Sequence, residues 1–274
     1  MSKPLVKIEN LYYKYPTSED FVLRNISLEI YRGECVGILG ENGAGKTTLI
    51  KHLNGLLKPT SGSVEIDGID TRDVSVASLS RKVGIVFQRS DMQFFSETVE
   101  AEITFALKNF GFNENLIREK VNWALEISRL KRYRHSSPFL LSGGEKKRLA
   151  IVSVLAWDPE LVVIDEPTIG QDYFHKTQIM NLIRNEVYKG RSFVIVSHDM
   201  DFIASLVDRV IILSKGEVIA EGPTRAILSD LSLLEKASLM PPLSLRLSLS
   251  LGEKGVHPLT VDEFVKFLIG GLER

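Results

Sequence analysis

Residues 40–48 form a glycine-rich segment with the pattern G-x-x-x-x-G-K-[ST]. Its three glycines carry no side chain, so the backbone can curl around a polyphosphate and turn N–H groups toward the phosphate oxygens. Lys46 supplies positive charge to the β- and γ-phosphates, and the Thr47 hydroxyl can ligate Mg²⁺. The segment follows an apolar run at 35–39 and precedes a helical pattern at 47–53, which is the context this motif requires. We therefore predict that the following residues bind a nucleotide: Gly40, Glu41, Asn42, Gly43, Ala44, Gly45, Lys46, Thr47 and Thr48.

Two carboxylates, Asp165 and Glu166, follow a second apolar run at 161–164. An Asp at the end of a buried strand can hold Mg²⁺ through water, and the adjacent Glu can orient and deprotonate an attacking water. The alternative is that the pair caps the next helix. Downstream of a phosphate-binding segment, the catalytic interpretation is favoured.

A third candidate is the segment Leu-Ser-Gly-Gly at 141–144, where a helical pattern begins. Ser142 is the expected N-cap, and the exposed amides with the helix dipole form a second anion site at Gly143 and Gly144. One chain cannot easily wrap one phosphate tail with two remote helix starts, whereas a head-to-tail pair of chains can. The two segments therefore predict a nucleotide held between two subunits.

Strands and helices alternate along much of the chain, which predicts a mainly parallel sheet covered on both faces. Alternating apolar residues within 1–39 indicate antiparallel strands before it. Buried strands are predicted at 35–39, 83–87, 161–164, 193–196 and 210–213. Helices are predicted at 47–53, 99–109, 114–127, 144–157 and 173–187. The helices between about 91 and 159 follow one another without a strand, so we expect them to form a separate lobe.

The C-terminal stretch supports two interpretations. Leucines stand at every second position from 243 to 251, a period that indicates a strand. Leu243, Leu247 and Leu251 are also four residues apart, which fits a helix. Pro242 could begin this helix and Gly252 could end it. Periodicity alone does not decide between them.

Composition narrows the class of protein. A length of 274 residues favours a principal domain with a smaller appendage. A formal net charge of -1 gives no electrostatic indication of a nucleic-acid partner. The single cysteine, Cys35, excludes an intramolecular disulfide and suits a reducing compartment. No apolar run reaches the roughly 18 residues that span a bilayer, and no signal peptide precedes Leu5. We expect a soluble, cytosolic chain that meets a membrane only through another protein.

Together these motifs resemble those of ATP-binding cassette (ABC) ATPase subunits, over roughly residues 4–225. The chain also has Gln88 after a strand, Asp172 six residues beyond Glu166, and His198 after the strand at 193–196. The resemblance implies that Gln88 senses Mg²⁺ and the γ-phosphate, and that His198 contacts the γ-phosphate. It places Asp172 across a dimer interface.

The resemblance also implies a fold and a set of site residues. The fold is an α/β P-loop NTPase (RecA-like) with a mainly parallel sheet, an antiparallel β subdomain, a helical subdomain and a small C-terminal appendage. Tyr15 matches the aromatic residue that stacks on adenine; Tyr13 is the weaker candidate, and both could equally be strand-surface aromatics. The implied catalytic residues are Lys46, Gln88, Glu166 and His198. The implied Mg²⁺ ligands are Thr47, Gln88 and Asp165. ATP is also contacted by Tyr15, Ser142, Gly143, Gly144 and Asp172.

Two departures from the family pattern stand out. Glu145 occupies the position where the family usually has Gln, and residues 169–171 read Ile-Gly-Gln rather than small-Gly-Leu. Neither change removes a group that the chemistry requires, so we expect an active site.

Residues 88–99 resemble one branch of the family, the energy-coupling-factor (ECF) transporter ATPases. Those usually read Gln-x-x-x-Asp-x-Gln-[aromatic or Leu]-Phe and then Thr-Val. On this resemblance we favour a helix at 242–251, and we divide the chain into a nucleotide-binding domain at 1–230 and a C-terminal dimerisation appendage at 231–274. Phe94 and Phe95 are either ordinary core residues or part of a groove that receives a coupling helix from a membrane subunit.

The branch implies that ATP hydrolysis powers import of a micronutrient, a vitamin or a transition-metal ion. The implied partners are a second ABC ATPase subunit in a homo- or heterodimer, a transmembrane coupling subunit and a substrate-binding membrane subunit, with no nucleic acid. The chain would lie peripherally at the cytoplasmic face of the cell membrane. Alternatives are another ABC importer or exporter, or a non-transport ABC ATPase that acts on nucleic acid. The last would normally carry a long coiled-coil insertion, yet only 96 positions (142 − 46) separate Lys46 from Ser142. The sequence does not reveal the cargo.

Overall fold

The computed structural model describes residues 3–252 and 257–272, whose strands form two sheets. The strands are β1 (Val6–Tyr13), β2 (Leu23–Ile30), β3 (Cys35–Leu39), β4 (Ser61–Ile66), β5 (Ile69–Asp70), β6 (Val83–Val86), β7 (Leu161–Asp165), β8 (Ser192–Val196), β9 (Arg209–Ser214) and β10 (Glu217–Pro223). The smaller sheet is antiparallel and has the order β2-β1-β4-β5. The larger sheet has the order β10-β9-β3-β8-β7-β6.

The larger sheet is parallel from β9 to β6, and β10 joins one edge as an antiparallel strand. Every residue of β3, β6, β7 and β8 is buried. Strands covered on both faces read as continuous apolar runs, which is why the sequence located them to within about one residue. The prediction of a mainly parallel sheet is confirmed.

Eleven α-helices occur within the described residues. They are α1 (Lys46–Leu53), α2 (Val76–Ser80), α3 (Val99–Asn109), α4 (Glu114–Ile127), α5 (Gly143–Leu155), α6 (Tyr173–Tyr188), α7 (Met200–Leu206), α8 (Thr224–Ser229), α9 (Leu231–Lys236), α10 (Leu243–Ser250) and α11 (Val261–Leu272). The side chains of Thr98 and Asn113 cap α3 and α4 by accepting N–H groups of the first turn, which sets where these helices begin. Both helices have the predicted bounds.

The sheet is covered by two hydrophobic clusters, one on each face. One cluster joins β1, β2 and α1 to the sheet, and the other joins α3, α4 and α5 to it. Leu234 and Leu245 belong to the same cluster as Ile203, so α9 and α10 share the main core. The division at residue 230 stays a prediction, and positions 1–2, 253–256 and 273–274 of its two parts lie outside the described residues.

The stretch after Pro242 is the helix α10, as the family resemblance favoured. In a strand these alternate leucines would all lie on one face. Instead Leu245 is fully buried, whereas Leu243 and Leu247 are exposed. The Asp201 carboxylate on α7 accepts the Leu243 N–H at 2.9 Å and caps the helix from outside. A distant side chain therefore decides where α10 begins.

Candidate functional site

A cleft of about 380 Å³ lies where the loops after β3, β6, β7 and β8 meet at the carboxyl edge of the sheet; we call it the cradle cleft. The carboxyl edge of a parallel sheet is where α/β proteins bind ligands. Ten predicted site residues line it: Asn42, Gly43, Gly45, Lys46, Thr47, Thr48, Gln88, Asp165, Glu166 and His198. Val22 and Ile169, which sequence reasoning missed, complete the lining.

The loop before α1 depends on glycine at two positions. Gly40 has φ 149°, and a Cβ there would lie 2.2 Å from the Leu213 carbonyl oxygen. Gly45 has φ 101°, and its Cβ would lie 2.8 Å from Leu23 Cδ2. The N-cap residue of α1 is Gly45, which has no side chain to cap the helix, so N–H groups of its first turn can bind an anion.

Lys46 lies buried at the base of the loop. Its ammonium donates to the carbonyl oxygens of Gly40 at 2.7 Å and Glu41 at 2.9 Å. Burial lowers the pKa of Lys46, and the nearby carboxylates of Glu166 and Asp165 oppose this effect. The cation is thus held within the cleft by its own loop.

Thr47 and Asp165 bring two oxygen ligands together. The Thr47 hydroxyl donates to Asp165 Oδ2 at 3.2 Å, and Gln88 lines the same cleft. Burial raises the pKa of Asp165, while the Thr47 hydrogen bond acts in the opposite direction. Mg²⁺ binds proteins through one or two carboxylates together with phosphates and water, so this donor set fits it.

Glu166 is held from several directions. Its φ of 50° is in the left-handed region, an uncommon conformation for a residue with a side chain. Its N–H donates to the Val196 carbonyl oxygen at 2.8 Å, and its Oε2 accepts the His198 N–H at 3.3 Å. Its Oε1 lies 3.3 Å from His198 Nε2. The carboxylate is therefore fixed beside the ring of His198.

The cleft shifts the pKa values of Glu166 and His198 in opposite directions. Burial raises the pKa of Glu166, and the Asp165 charge raises it further. Burial lowers the pKa of His198, and the Lys46 charge lowers it further. A raised pKa makes the Glu166 carboxylate a stronger base than an ordinary carboxylate, which suits a group that accepts a proton.

The predicted aromatic residues lie near the cradle but do not line its cleft. The Tyr15 hydroxyl is 3.1 Å from Thr48 Oγ1, and its ring packs edge-on against Tyr13. Tyr13 is buried and packs against His52 as well, so it is a core residue. The adenine role of Tyr15 stays a prediction.

The Ser142 segment lies outside the cradle cleft. The Ser142 hydroxyl accepts the Glu145 N–H at 3.3 Å, and Glu145 Oε2 accepts the Ser142 N–H at 2.9 Å, which forms a capping box. Glu145 thus uses its carboxylate to begin α5. The predicted N-cap is confirmed.

Gly144 is required for close packing of two helices. A Cβ on Gly144 would lie 2.2 Å from His175 Cδ2 in the first turn of α6. Asp172 caps α6 by accepting the His175 N–H at 2.8 Å. Ser142 and Asp172 therefore start two adjoining helices, a contact that the sequence did not reveal.

The aromatic pair after Gln88 divides between core and surface. Phe94 is 7% exposed and belongs to the hydrophobic core, whereas Phe95 is 59% exposed. Phe95 packs edge-on against the exposed ring of Phe105 on α3. Of the two alternatives, the core interpretation holds for Phe94, and the groove stays a prediction for Phe95.

The chain was compared with known proteins. The model of the ABC transporter family matches residues 23–169. A putative ABC transporter ATP-binding protein of Pyrococcus horikoshii is 40% identical over 264 residues, which cover 96% of this chain and 99% of that protein. The chain belongs to the ABC transporter ATPases. The predicted family and fold class are confirmed.

Other relatives of this ABC ATPase differ in length. The energy-coupling factor transporter ATP-binding protein EcfA2 of Clostridium tetani is 39% identical over 261 residues, which cover 92% of this chain and 90% of that protein. A putative ABC transporter ATP-binding protein of Methanosarcina acetivorans is 40% identical over 268 residues, 97% of this chain. The chain spans 44% of the length of that relative.

Solved structures give the same result. The structure of cbiO1 from Clostridium perfringens, part of the ABC transporter complex cbiONQ, matches with a TM-score of 0.79 and 32% identity, over 92% of this chain and 100% of that one. The ATP-binding cassette MJ0796, a dimer bound to ADP and Pi, matches with a TM-score of 0.73 and 31% identity, over 80% of this chain and 99% of that one. Across residues 3–252 and 257–272, no helix is long and apolar enough to cross a membrane.

The raised pKa of Glu166 predicts an effect on stability. A carboxyl group whose pKa is higher in the folded state than in the unfolded state reduces stability as the pH rises from its ordinary value of 4.5 through the raised value. Replacing Glu166 with Gln should therefore raise the melting temperature at pH 7 to 8, and this gain should shrink as the pH falls toward 4.5. Thermal unfolding across this pH range measures it. Glu19→Gln, at an exposed position, is the control and should change little. A lower melting temperature for Glu166→Gln at pH 7 would contradict the effect of burial.

Proposed function

We propose that this chain is the ATP-hydrolysing subunit of an ECF-type importer of a micronutrient, a vitamin or a transition-metal ion. The observation that carries the proposal is the grouping of Lys46, Asp165, Glu166 and His198 in one cleft. The ECF branch is supported by the similarity to EcfA2 and cbiO1, and by the helix α10 in the tail.

ATP is held between two such subunits. The amides before α1 and Lys46 grip the phosphates from one side, and the start of α5 at Ser142, Gly143 and Gly144 on a second subunit contacts them from the other. The separation of the Ser142 segment from the cradle cleft within one chain supports this arrangement, since both are helix N-termini suited to phosphate. The second subunit is another copy of this chain or a similar ABC ATPase.

Each polar group in the cleft has a separate task. Thr47, Asp165 and Gln88 would hold Mg²⁺, which when bound would offset negative charge on the phosphates. Glu166 orients the attacking water in line with the γ-phosphate and accepts its proton. Lys46 and His198 stabilise the charge that develops on the transferred phosphoryl group.

The surface around Phe95 is the proposed contact with the membrane subunit, and it would hold the chain at the cytoplasmic face of the membrane. The Gln93 side chain links this surface to β6, because its amide donates to the Ile85 carbonyl oxygen at 3.3 Å and accepts the Phe87 N–H at 3.2 Å. Gln88, which follows β6, lines the cradle cleft. The segment that carries Phe95 is thus hydrogen-bonded to the strand that leads into the cradle cleft.

Replacing Glu166 with Gln tests the catalytic role. Because the amide cannot accept the proton of water, we expect turnover to fall at least 100-fold while ATP binding persists. ATP should then accumulate the closed dimer, which size-exclusion chromatography with ATP and Mg²⁺ measures. The same variant with ADP is the control and should remain monomeric. Turnover close to that of the unchanged protein would refute the role of Glu166.

A mixture of two inactive variants tests the shared site. Lys46→Ala disables the cradle, and Gly143→Asp places a negative charge at the exposed start of α5, where a side chain has only Gln171 Nε2 nearby, at 4.0 Å. In a mixed dimer both defects fall in one site and the other site is intact. Random pairing makes half the dimers mixed, so an equal mixture should recover up to about a quarter of normal turnover. Each variant alone should be inactive. A mixture as inactive as its components would exclude a site shared between copies of this chain.

Phe95 tests the membrane contact. Phe95→Ser removes an exposed ring and should prevent co-purification with the membrane subunit from detergent extracts, because interface aromatics contribute much of the binding energy. ATP binding should be unchanged. Tyr188→Ser, which also removes an exposed ring but at the end of α6, is the matched control. Normal assembly of the Phe95 variant would remove this surface from the interface.

A further inference from the structure

A second cleft, of about 470 Å³, has α6 on one side. The C-terminal end of α4 and Arg148 on α5 form its other side. It adjoins a smaller cleft of about 330 Å³, and the two share Arg129, Arg148 and Gln178. None of the residues that line them lines the cradle cleft. We call the pair the arginine cleft. Its residues have no task in the proposed ATPase mechanism.

Arg148 is the central feature of the arginine cleft. The residue is only 5% exposed, and its Nε donates to the Ser128 carbonyl oxygen at 3.0 Å. Its Nη1 is buried and has no hydrogen-bond partner among the described residues. Gln178 Oε1, on the facing helix α6, is also buried and has no hydrogen-bond partner within 3–252 and 257–272. A buried donor on a charged group costs free energy when it is unpaired, so an oxygen-rich ligand here would bind favourably.

The charges of the arginine cleft favour an anion. Its two carboxylates already have partners: Glu186 pairs with Lys189 at 2.7 Å, and Glu145 pairs with Arg132 at 3.3 Å. Within the part of the chain that the structure describes, neither Arg129 nor Arg148 forms a salt bridge.

The guanidinium of Arg148 is also electrostatically unfavourable as it stands. Burial lowers its pKa, and the positive charges of Arg129 and Arg132 lower it further, against the effect of Glu145. A bound anion would offset both effects at once. Arginine suits this task because its planar group can donate two parallel hydrogen bonds to one phosphate.

We propose that the arginine cleft binds a phosphorylated small molecule, with its phosphate on Arg129 and Arg148. The volume of about 470 Å³ lies in the range of small-molecule sites and exceeds what a bare phosphate needs. Asn181 and Asn185 line the same cleft and offer amide groups to hydroxyls of the ligand.

The position of the cleft gives the ligand a structural effect. Arg148 lies on α5, which Ser142 caps, and the facing amides lie on α6, which begins after Asp172. A ligand that contacts both sides ties these two helices together. The ligand would thus connect α5, whose start is the proposed second phosphate contact, with the neighbouring helix α6.

Calorimetric titration tests the site. Ribose 5-phosphate is the probe, and the protein carries Lys46→Ala so that the cradle contributes little to phosphate binding. Adding Arg129→Gln should weaken binding about tenfold or more, since it removes a charged donor to the phosphate. Arg129 has a left-handed backbone conformation with φ 58°. Gln, like Arg, carries a side chain, so the substitution leaves the conformational strain at this position unchanged. Arg118→Gln, at an exposed arginine on α4 that does not line the arginine cleft, is the matched control and should bind normally.

Two further probes identify the part of the ligand that is recognised. Ribose should not bind, because it lacks the phosphate. Inorganic phosphate should bind in an Arg129-dependent way, and equal affinity for it and the sugar phosphate would assign the site to the phosphate group alone. Absence of binding by both phosphates to the Lys46→Ala protein, or equal binding with and without Arg129, would overturn the proposal. These outcomes do not depend on ATP hydrolysis, so they leave the proposed function separately testable.

Discussion

The parallel pairing of β3, β8, β7 and β6 is the constraint on which the site depends. Because these neighbouring strands run in the same direction, their carboxyl ends lie along one edge. The phosphate loop follows β3, His198 follows β8, Glu166 follows β7 and Gln88 follows β6. The parallel order of the strands therefore brings residues that are far apart in the sequence into one cleft.

Burial then gives this cleft its chemistry. Lys46, Asp165 and Glu166 are charged groups that have lost most of their water, and their pKa values shift in the directions that burial dictates. The positive φ of Glu166 shows that the backbone adopts an uncommon conformation where the carboxylate must be placed. Such a site costs stability, which the two hydrophobic clusters on either face of the sheet offset.

Sequence reasoning succeeded where the cause of a structure is local. Apolar runs in the sequence indicate buried strands, and Ser142 caps a helix through its own hydroxyl. It was ambiguous for the tail, where the leucine spacing fits two periods and the helix is capped by the distant Asp201. It missed β4, because that strand is largely polar, and it left open whether Phe94 and Phe95 lie in the core or at the surface, where the structure separates them.

The family, the strands and helices around the cradle and nearly all the residues that line its cleft follow from the sequence, because glycine torsions, helix caps and apolar runs act over a few residues. The approach of α5 and α6 at Gly144 became visible only in the folded chain, as did the buried Arg148 donor that has no partner among the described residues. Those features come from packing between segments remote in the chain. No local pattern encodes a contact that exists only when two helices have been brought together by the core beneath them.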